Sequence, residues 1–391
     1  MIISDLVIQN FRSYPQYHLK LSDVTVIVGP NTAGKSNLIE ALFLLSSGKS
    51  FRAEKDFQMV RFGQEIGRVK GKIKDTDVIL IRQLAEKDLI SKKERRDSSP
   101  ASRDQNDNIL EVVVAKINNS YSKRFFVNNV ARRRVDFMEH FHALLFAPTH
   151  LDIVSGSPSI RRRFLDEVLE SVDRDYRQAS IQYEKVLRQR NALLHVVRET
   201  GKRDPKVFEY WDNLLITNGQ ILTKKREEFI ELFNSAEKDL IQFVIEYDKS
   251  IVSGARLEQY LRAEEASAVT LVGPHRDDFL IRIYSNENNP PAGKAGSDAS
   301  EIQDAKFFGS RGQQRLVVLQ LKLLQLTYME RVLGHRPVLL LDDIFSELDD
   351  HHIEVVMGIA DKQQTIITTA HEEFIQNKTK DAAVIELEKN D

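Results

Sequence analysis

Apolar and polar residues alternate with a period of two over Ile2 to Ile8 and again over Leu110 to Ile117, the spacing of strands with one buried face. Between them, Val24-Thr25-Val26-Ile27-Val28 is a continuous β-branched run that reads as a fully buried strand. Ser36 to Leu45 follows with helical spacing, Leu38, Ala41, Leu42 and Leu45 falling on one face. From Ile160 to about Val244 the period becomes helical. Leu165, Leu169, Val172, Tyr176, Ala179, Tyr183 and Val186 recur at alternating steps of four and three, a heptad seam that fades where Arg190 takes the next position. A second helical pattern carries Val207, Tyr210, Trp211, Leu214, Leu215, Ile221 and Leu222, and the two helices are expected to pack antiparallel as a compact arm. Sheet spacing returns at Leu271 and at Phe279 to Tyr284, then a long apolar helix from about Arg315 to Met329 and an apolar run, Pro337 to Asp343. Ser91 to Asn108 and Ser285 to Ser300 are polar and read as surface loops.

This order predicts an α/β chain in three stretches: a strand-rich 1–148, a mainly helical 149–264, and 265–391 returning to the first lobe. At 391 residues the chain exceeds the usual size of one hydrophobic core. Both ends must meet in one sheet although the helical lobe is inserted between them.

The strongest chemical signal lies between the Val24–Val28 strand and its helix. Gly29-Pro30-Asn31-Thr32-Ala33-Gly34-Lys35-Ser36 fits G-x-x-x-x-G-K-[ST] in the strand–loop–helix setting that the motif needs. Backbone amides of such a loop turn inward on a β-phosphate, Lys35 reaches the β- and γ-phosphates, and Ser36 holds Mg²⁺. Gly29, Asn31, Gly34 and Asn37 complete the candidate nucleotide site, with ATP and Mg²⁺ as expected cofactors. The run Pro337-Val338-Leu339-Leu340-Leu341-Asp342-Asp343 reads as a parallel strand delivering two carboxylates to the ligand edge of a sheet. Asp342 would hold the Mg²⁺ shell and Asp343 would orient or deprotonate the attacking water. In isolation the same run reads equally well as a core strand ending in a helix-capping Asp pair.

Charge is nearly balanced, 29% of residues charged for a net −2, so DNA contact would have to come from local patches. Arg132-Arg133-Arg134 and Arg161-Arg162-Arg163 are the sharpest ones, with Lys92-Lys93 and Arg95-Arg96 in the first polar loop. Helical arginine runs are also commonly solvated or paired, and Asp166, Glu167 and Glu170 stand close by. No cysteine occurs, which excludes disulfides, thiolate metal sites and cysteine nucleophiles. An early acidic residue at Asp5, no basic leader and no apolar stretch of membrane-spanning length lead us to expect a cytoplasmic protein without a membrane role.

Phe308-Gly309-Ser310-Arg311-Gly312-Gln313-Gln314 ahead of the long helix resembles the signature of ABC-type ATPases, and Ser346-Glu347-Leu348-Asp349 resembles their D-loop. Asn10-Phe11-Arg12-Ser13-Tyr14, the P-loop, Gly156-Ser157-Pro158 through Arg161-Arg162-Arg163-Phe164-Leu165-Asp166, Gly273-Pro274-His275-Arg276-Asp277-Asp278, the signature, and Leu341 to Asp349 together resemble the RecF family of bacterial recombination mediators, relatives of the SMC ATPases. The resemblance runs along most of the chain. It implies an ABC-type ATPase head, lobe I a mixed sheet around the P-loop helix, with an inserted helical lobe II. It further implies slow, DNA-stimulated ATP hydrolysis, an ATP-dependent homodimer, binding to single-strand gaps and single-strand/double-strand junctions, and help in loading RecA with RecO and RecR as partners. Ser310, Gly312 and Gln313 would then meet the γ-phosphate of a second copy, Asp349 would lie at the dimer seam, and Arg12 and Ser13 would lie near the nucleotide. Where the superfamily carries a small Gly-Ser pair, this chain has Thr32-Ala33, expected to fit. Thr149 and His150 stand where the lobe-junction glutamine is usual, and Thr369 and His371 near the usual switch histidine. A transporter ATPase subunit or an ATP-switched structural scaffold is the alternative; Ser310-Arg311-Gly312-Gln313-Gln314 fits a transporter signature poorly.

Overall fold

The structure, a computed structural model, describes residues 1–74, 107–284, 302–370 and 382–388. Lys92, Lys93, Arg95, Arg96, His371 and the second polar loop lie outside the described residues, whereas Asp107 and Asn108 begin a strand. The chain divides into two compact units, 1–148 with 329–391 and, between them, 149–328. The signature segment is therefore grouped with the second unit, although 265–391 had been expected to return whole to the first lobe.

In the first unit, strands β1 (Ile2–Phe11), β2 (Tyr14–Lys20) and β3 (Val24–Val28) lead into helix α1 (Lys35–Ser47). Strands β4 (Ile66–Lys74), β5 (Asp107–Ile117), β6 (Ser120–Val127), β7 (Val130–Arg132) and β8 (Ala143–Phe146) follow. The alternating strands form an antiparallel sheet ordered β2-β1-β4-β5-β6-β7. The continuously apolar β3 and β8 instead join a parallel sheet with strands from the C-terminal segment.

Helix α1 shares one core with both sheets: Leu38, Ile39, Leu42 and Leu45 cluster with Leu6, Val69 and Val112 on one side and with Ile27, Leu145 and Leu340 on the other. A helix enclosed in this way buries nearly its whole circumference, including Ile39, Glu40, Phe43 and Leu44, where one apolar face was expected. Its close approach depends on Gly71, because a Cβ there would come within 2.6 Å of Leu45 Cδ1.

In the second unit, helices α2 (Pro158–Val172), α3 (Arg174–Thr200) and α4 (Pro205–Ser235) precede β9 (Phe243–Asp248), α5 (Gly254–Ser267), β10 (Asp278–Tyr284) and β11 (Ile302–Asp304). The heptad seam crosses a helix break, since Asp173 ends α2 and caps α3 by accepting the Tyr176 amide at 2.9 Å. Helices α3 and α4 are antiparallel: Arg190 meets Asp212, Tyr183 packs at Gly219, and Tyr176 meets Arg226. Helical spacing does not extend to Val244, which lies in β9, and Leu271 is outside any strand. Helix α6 (Arg311–Leu333) starts at Arg311, four residues before the expected Arg315, and the division between units falls within it.

The first unit is completed by β12 (Val338–Asp342), α7 (Asp350–Ala360), β13 (Thr365–Thr369) and β14 (Ala383–Glu386). The five-stranded sheet is ordered β14-β3-β13-β12-β8 with every neighbouring pair parallel. Gln364 ties the two sheets together, accepting the Ile3 amide at 2.7 Å and donating to the Ile3 carbonyl at 2.7 Å.

Candidate nucleotide site

All strands of the parallel sheet point one way, so the loops after β3 and β12 open at the same edge. The P-loop leaves β3 there and Asp342-Asp343 ends β12 beside it, with β13 between the two strands. Lys35 folds back over its own loop, donating from Nζ to Gly29 O at 2.6 Å and to Pro30 O at 3.0 Å. Burial lowers its pKa, opposed by the nearby Asp343 and Asp342 carboxylates. Ser36 Oγ donates to Asp342 Oδ1 at 2.9 Å, and Thr368 Oγ1 of β13 donates to the same oxygen at 2.8 Å. Burial raises the Asp342 pKa while these two hydrogen bonds hold it down. Asp343 adopts a left-handed φ of 51°, and its amide donates to Thr368 O at 3.0 Å.

A hydroxyl and a buried carboxylate in contact, both hard oxygen donors, fit a Mg²⁺ that keeps most of its shell for phosphate and water. Among the described residues no group of three or more His, Cys, Asp or Glu could hold a metal ion.

The P-loop turn depends on backbone conformations that few residues accept. Gly34 has φ 95°, and a Cβ there would lie 2.7 Å from Tyr14 Oη. Thr32 adopts φ 81° as a β-branched residue, so its place in the loop carries backbone strain. Thr32→Gly is expected to raise stability by roughly 1 kcal/mol after the added flexibility of glycine is subtracted. A higher urea midpoint at unchanged slope would be the signature, and an unchanged or lower midpoint would contradict it.

The other candidates divide into those the structure brings to the loop and those it does not. Asn37 donates to Ser13 Oγ at 2.9 Å. Arg12 is locked in place, its Nε and Nη2 donating to the buried Glu40 carboxylate at 2.9 and 2.6 Å and its Nη1 to Gln58 O at 2.7 Å. Its charge is therefore taken up within the protein, by Glu40. Arg52, missed in the sequence, donates to Asn37 Oδ1 at 2.9 Å and lies close enough to Asp342 to lower that carboxyl. Nothing in its local pattern marks it, because the loop after α1 alone carries it there. A cleft of about 770 Å³ opens beside these residues, lined by Arg12, Ser13, Asn37, Phe57, Phe62 and Gln64. Phe62 is fully exposed at its rim.

In the second unit, Ser310 and Gln313 form a reciprocal cap on α6, Gln313 N donating to Ser310 Oγ at 3.2 Å and Ser310 N to Gln313 Oε1 at 2.9 Å. Gly312 is exposed on the first turn. Asp349 caps α7 through the His352 amide at 3.0 Å, which lowers its pKa. Thr149 and His150 lie in a short turn, and Thr369 is buried at the end of β13.

The arginine clusters require correction. Arg161 is 4% exposed and forms a bidentate pair with Asp278 at 2.6 and 2.9 Å, because α2 turns it inward with Phe164 and Leu165. Arg162 is half-buried on the Asp277 carbonyl at 2.7 Å. Arg134 donates twice to Ser47 O, closing the end of α1 at 3.0 and 2.8 Å. Only Arg132 and Arg133 of the five candidates are exposed, and Arg133 pairs with Asp136 at 2.9 Å. His275 and Asp277 belong to a buried polar network with Tyr183, Arg226 and Tyr247; burial pushes His275 down to about 4.

A P-loop and a paired-aspartate strand at one edge of a parallel sheet, beside an antiparallel sheet packed on the same helix, define the head of an ABC-type ATPase. The RecF/RecN/SMC N terminal domain family model matches residues 2–390. The DNA replication and repair proteins RecF of Bacillus cereus (strain G9842) and Bacillus anthracis (strain CDC 684 / NRRL 3495) are each 30% identical over 412 aligned positions, covering 99% of this chain and 97% of theirs. The solved structure of the recombination mediator protein RecF-ATPrS in the RecFOR pathway superposes with a TM-score of 0.75 at 27% identity, covering 98% of this chain and 96% of that one. The corresponding RecF-ATP structure gives 0.75 at 28%, covering 94% and 92%. This chain belongs to the RecF family. No helix among the described residues is long and apolar enough to cross a membrane.

Proposed function

We propose that this protein is an ATP-switched DNA clamp: it dimerises on ATP, binds single-strand gaps and single-strand/double-strand junctions, and helps load RecA, with RecO and RecR as partners. The observation that carries the reading is the meeting of Lys35, Ser36, Asp342 and Thr368 at one sheet edge. The RecF-ATP and RecF-ATPrS structures support ATP as the nucleotide. Bound ATP with Mg²⁺ supplies the phosphoryl group that water attacks. Lys35 holds the β- and γ-phosphates, Ser36 and Asp342 hold the cation, and Asp343 takes the proton from water. The cleft edged by Phe57 and Phe62 receives base and ribose. Ser310 and Gly312 of a second copy close over the γ-phosphate, so turnover waits for the dimer and then releases it.

Sedimentation with and without ATP, alongside ATP turnover with and without gapped duplex, tests this reading. A monomer that becomes a dimer with ATP and turns over faster on DNA is expected. Asp343→Asn should keep the ATP-induced dimer and lower turnover at least a hundred-fold, the range for removing a general base. A wild-type monomer at saturating ATP would overturn the clamp.

A further inference from the structure

We infer that the outer face of the six-stranded antiparallel sheet is a track for the backbone of duplex DNA, an inference that rests on the clamp reading and gives it a surface. Strand β4 alternates buried Gly67, Val69, Gly71 and Ile73 with outward Arg68, Lys70, Lys72 and Lys74. Four successive outward positions of an inner strand thus carry a cation every second residue, about 7 Å apart.

The register extends the patch across the sheet. Lys20 and Lys72 flank Asp5, Lys70 lies between Val7 and Glu111, and Arg124 of β6 stands opposite Val113. On this face six Lys and Arg side chains (Lys20, Arg68, Lys70, Lys72, Lys74, Arg124) stand against three carboxylates, Asp5, Asp107 and Glu111, in a chain of net charge −2. Lys72 pairs with Asp107 at 2.7 Å, Arg68 with Glu111 at 3.3 Å, and His18 with Asp5 at 3.2 Å. The cationic ends of these pairs are exposed while Asp107 and Glu111 are mostly covered, so the cations can turn to a phosphate at modest cost. Lys20, Lys70, Lys74 and Arg124 form no ion pair with any of the described residues.

Carboxylates stand directly opposite Lys70, Lys72 and Lys74, yet cations outnumber them two to one on this face, which leaves a net positive field for an external polyanion. A linear polyanion suits a linear row of cations. Phe126 is the one aromatic side chain on the outward positions of β1, β2, β4, β5 and β6, and it is half-buried. Single strands are gripped by stacked bases, which this face lacks, whereas a duplex offers phosphates without unstacking.

The test measures binding of the full-length protein, with ATP, to a fluorescent blunt duplex over a series of salt concentrations. Removing three phosphate contacts in Lys20→Ala/Lys70→Ala/Arg124→Ala should flatten the slope of log K against log salt by about 3 and weaken binding at least 30-fold near 0.1 M salt. Basal ATP turnover and ATP-dependent dimerisation should be unchanged, which controls for folding. Lys70→Gln alone should flatten the slope by about 1. Unchanged affinity and slope in the triple variant would overturn the track, as would a loss confined to single-stranded probes. Wild-type protein that dimerises on ATP but binds no duplex would also overturn it, while wild-type protein that never dimerises would fail the clamp reading first.

Discussion

Lys35→Met is expected to abolish ATP binding at millimolar nucleotide while leaving the fold intact. In the wild-type loop Lys35 Nζ spends two hydrogen bonds on the Gly29 and Pro30 carbonyls, and the Asp342 and Asp343 carboxylates lie near it. Those carbonyls are not fully buried, so water can replace the lost donor and the apo protein loses little. The phosphates have no such substitute. Two charge-assisted hydrogen bonds lost from a partly desolvated site amount to about 3–5 kcal/mol, roughly a hundred- to several thousand-fold in Kd. Thermal unfolding with and without Mg²⁺-ATP gives the readout. Wild-type protein at a hundred times Kd gains about 2.7 kcal/mol, and the variant should show no shift. A shift of wild-type size would remove Lys35 from the site.

Arg226→Met should be the most destabilising single substitution in the second unit. Arg226 is 3% exposed and bonds Asp277 at 2.9 Å, Asp166 at 2.7 Å, the Tyr176 hydroxyl at 2.9 Å and the Pro274 carbonyl at 2.8 Å. Burial opposes its charge, and the two carboxylates with Tyr176 more than offset that. Asp277 is 0% exposed, so removing the cation leaves a buried carboxylate held only by the Tyr247 hydroxyl and the Ser250 amide. Loss of one partner of a buried pair costs about 3–5 kcal/mol. Burial already raises the Asp277 pKa and Arg226 holds it down. Without Arg226 the folded carboxyl rises further, so the variant's deficit is full at neutral pH and shrinks as pH falls through that raised value. Adding Asp277→Asn should restore part of the loss at pH 7. A deficit below 1 kcal/mol, or one independent of pH, would show that the network is not a closed ion cluster.

What could be read from the sequence follows from how locally each feature is encoded. Strand β3, the P-loop, α1 and the Asp342-Asp343 strand are each written in contiguous residues, and the α/β architecture with a helical insertion followed from their order. Buried charge was the main obstacle. Arg190 looked like the end of the seam, yet it is 1% exposed and continues the seam by bonding Asp212, Glu264 and Thr270. Arg161 looked like surface because its partner, Asp278, is 117 residues away. Separation along the chain, 28 residues for the Arg12–Glu40 pair and far more for the approach of Arg52 to Asp342, hid those contacts too. The outward cations of β4 went unnoticed because alternation with glycine and valine separates them in the sequence, although the pleat gathers them on one face.

The strand order also dictates when the ATP site can first exist. Within the five-stranded sheet, β3 pairs only with β13 and β14, and β8 pairs only with β12. On the ribosome, both N-terminal strands therefore wait without partners while residues 149–328 are synthesised. At about 5–20 residues per second that wait lasts roughly ten to forty seconds. The second unit is complete before the nucleotide-binding unit can close, so no nascent chain can be caught by ATP until its final strands have emerged.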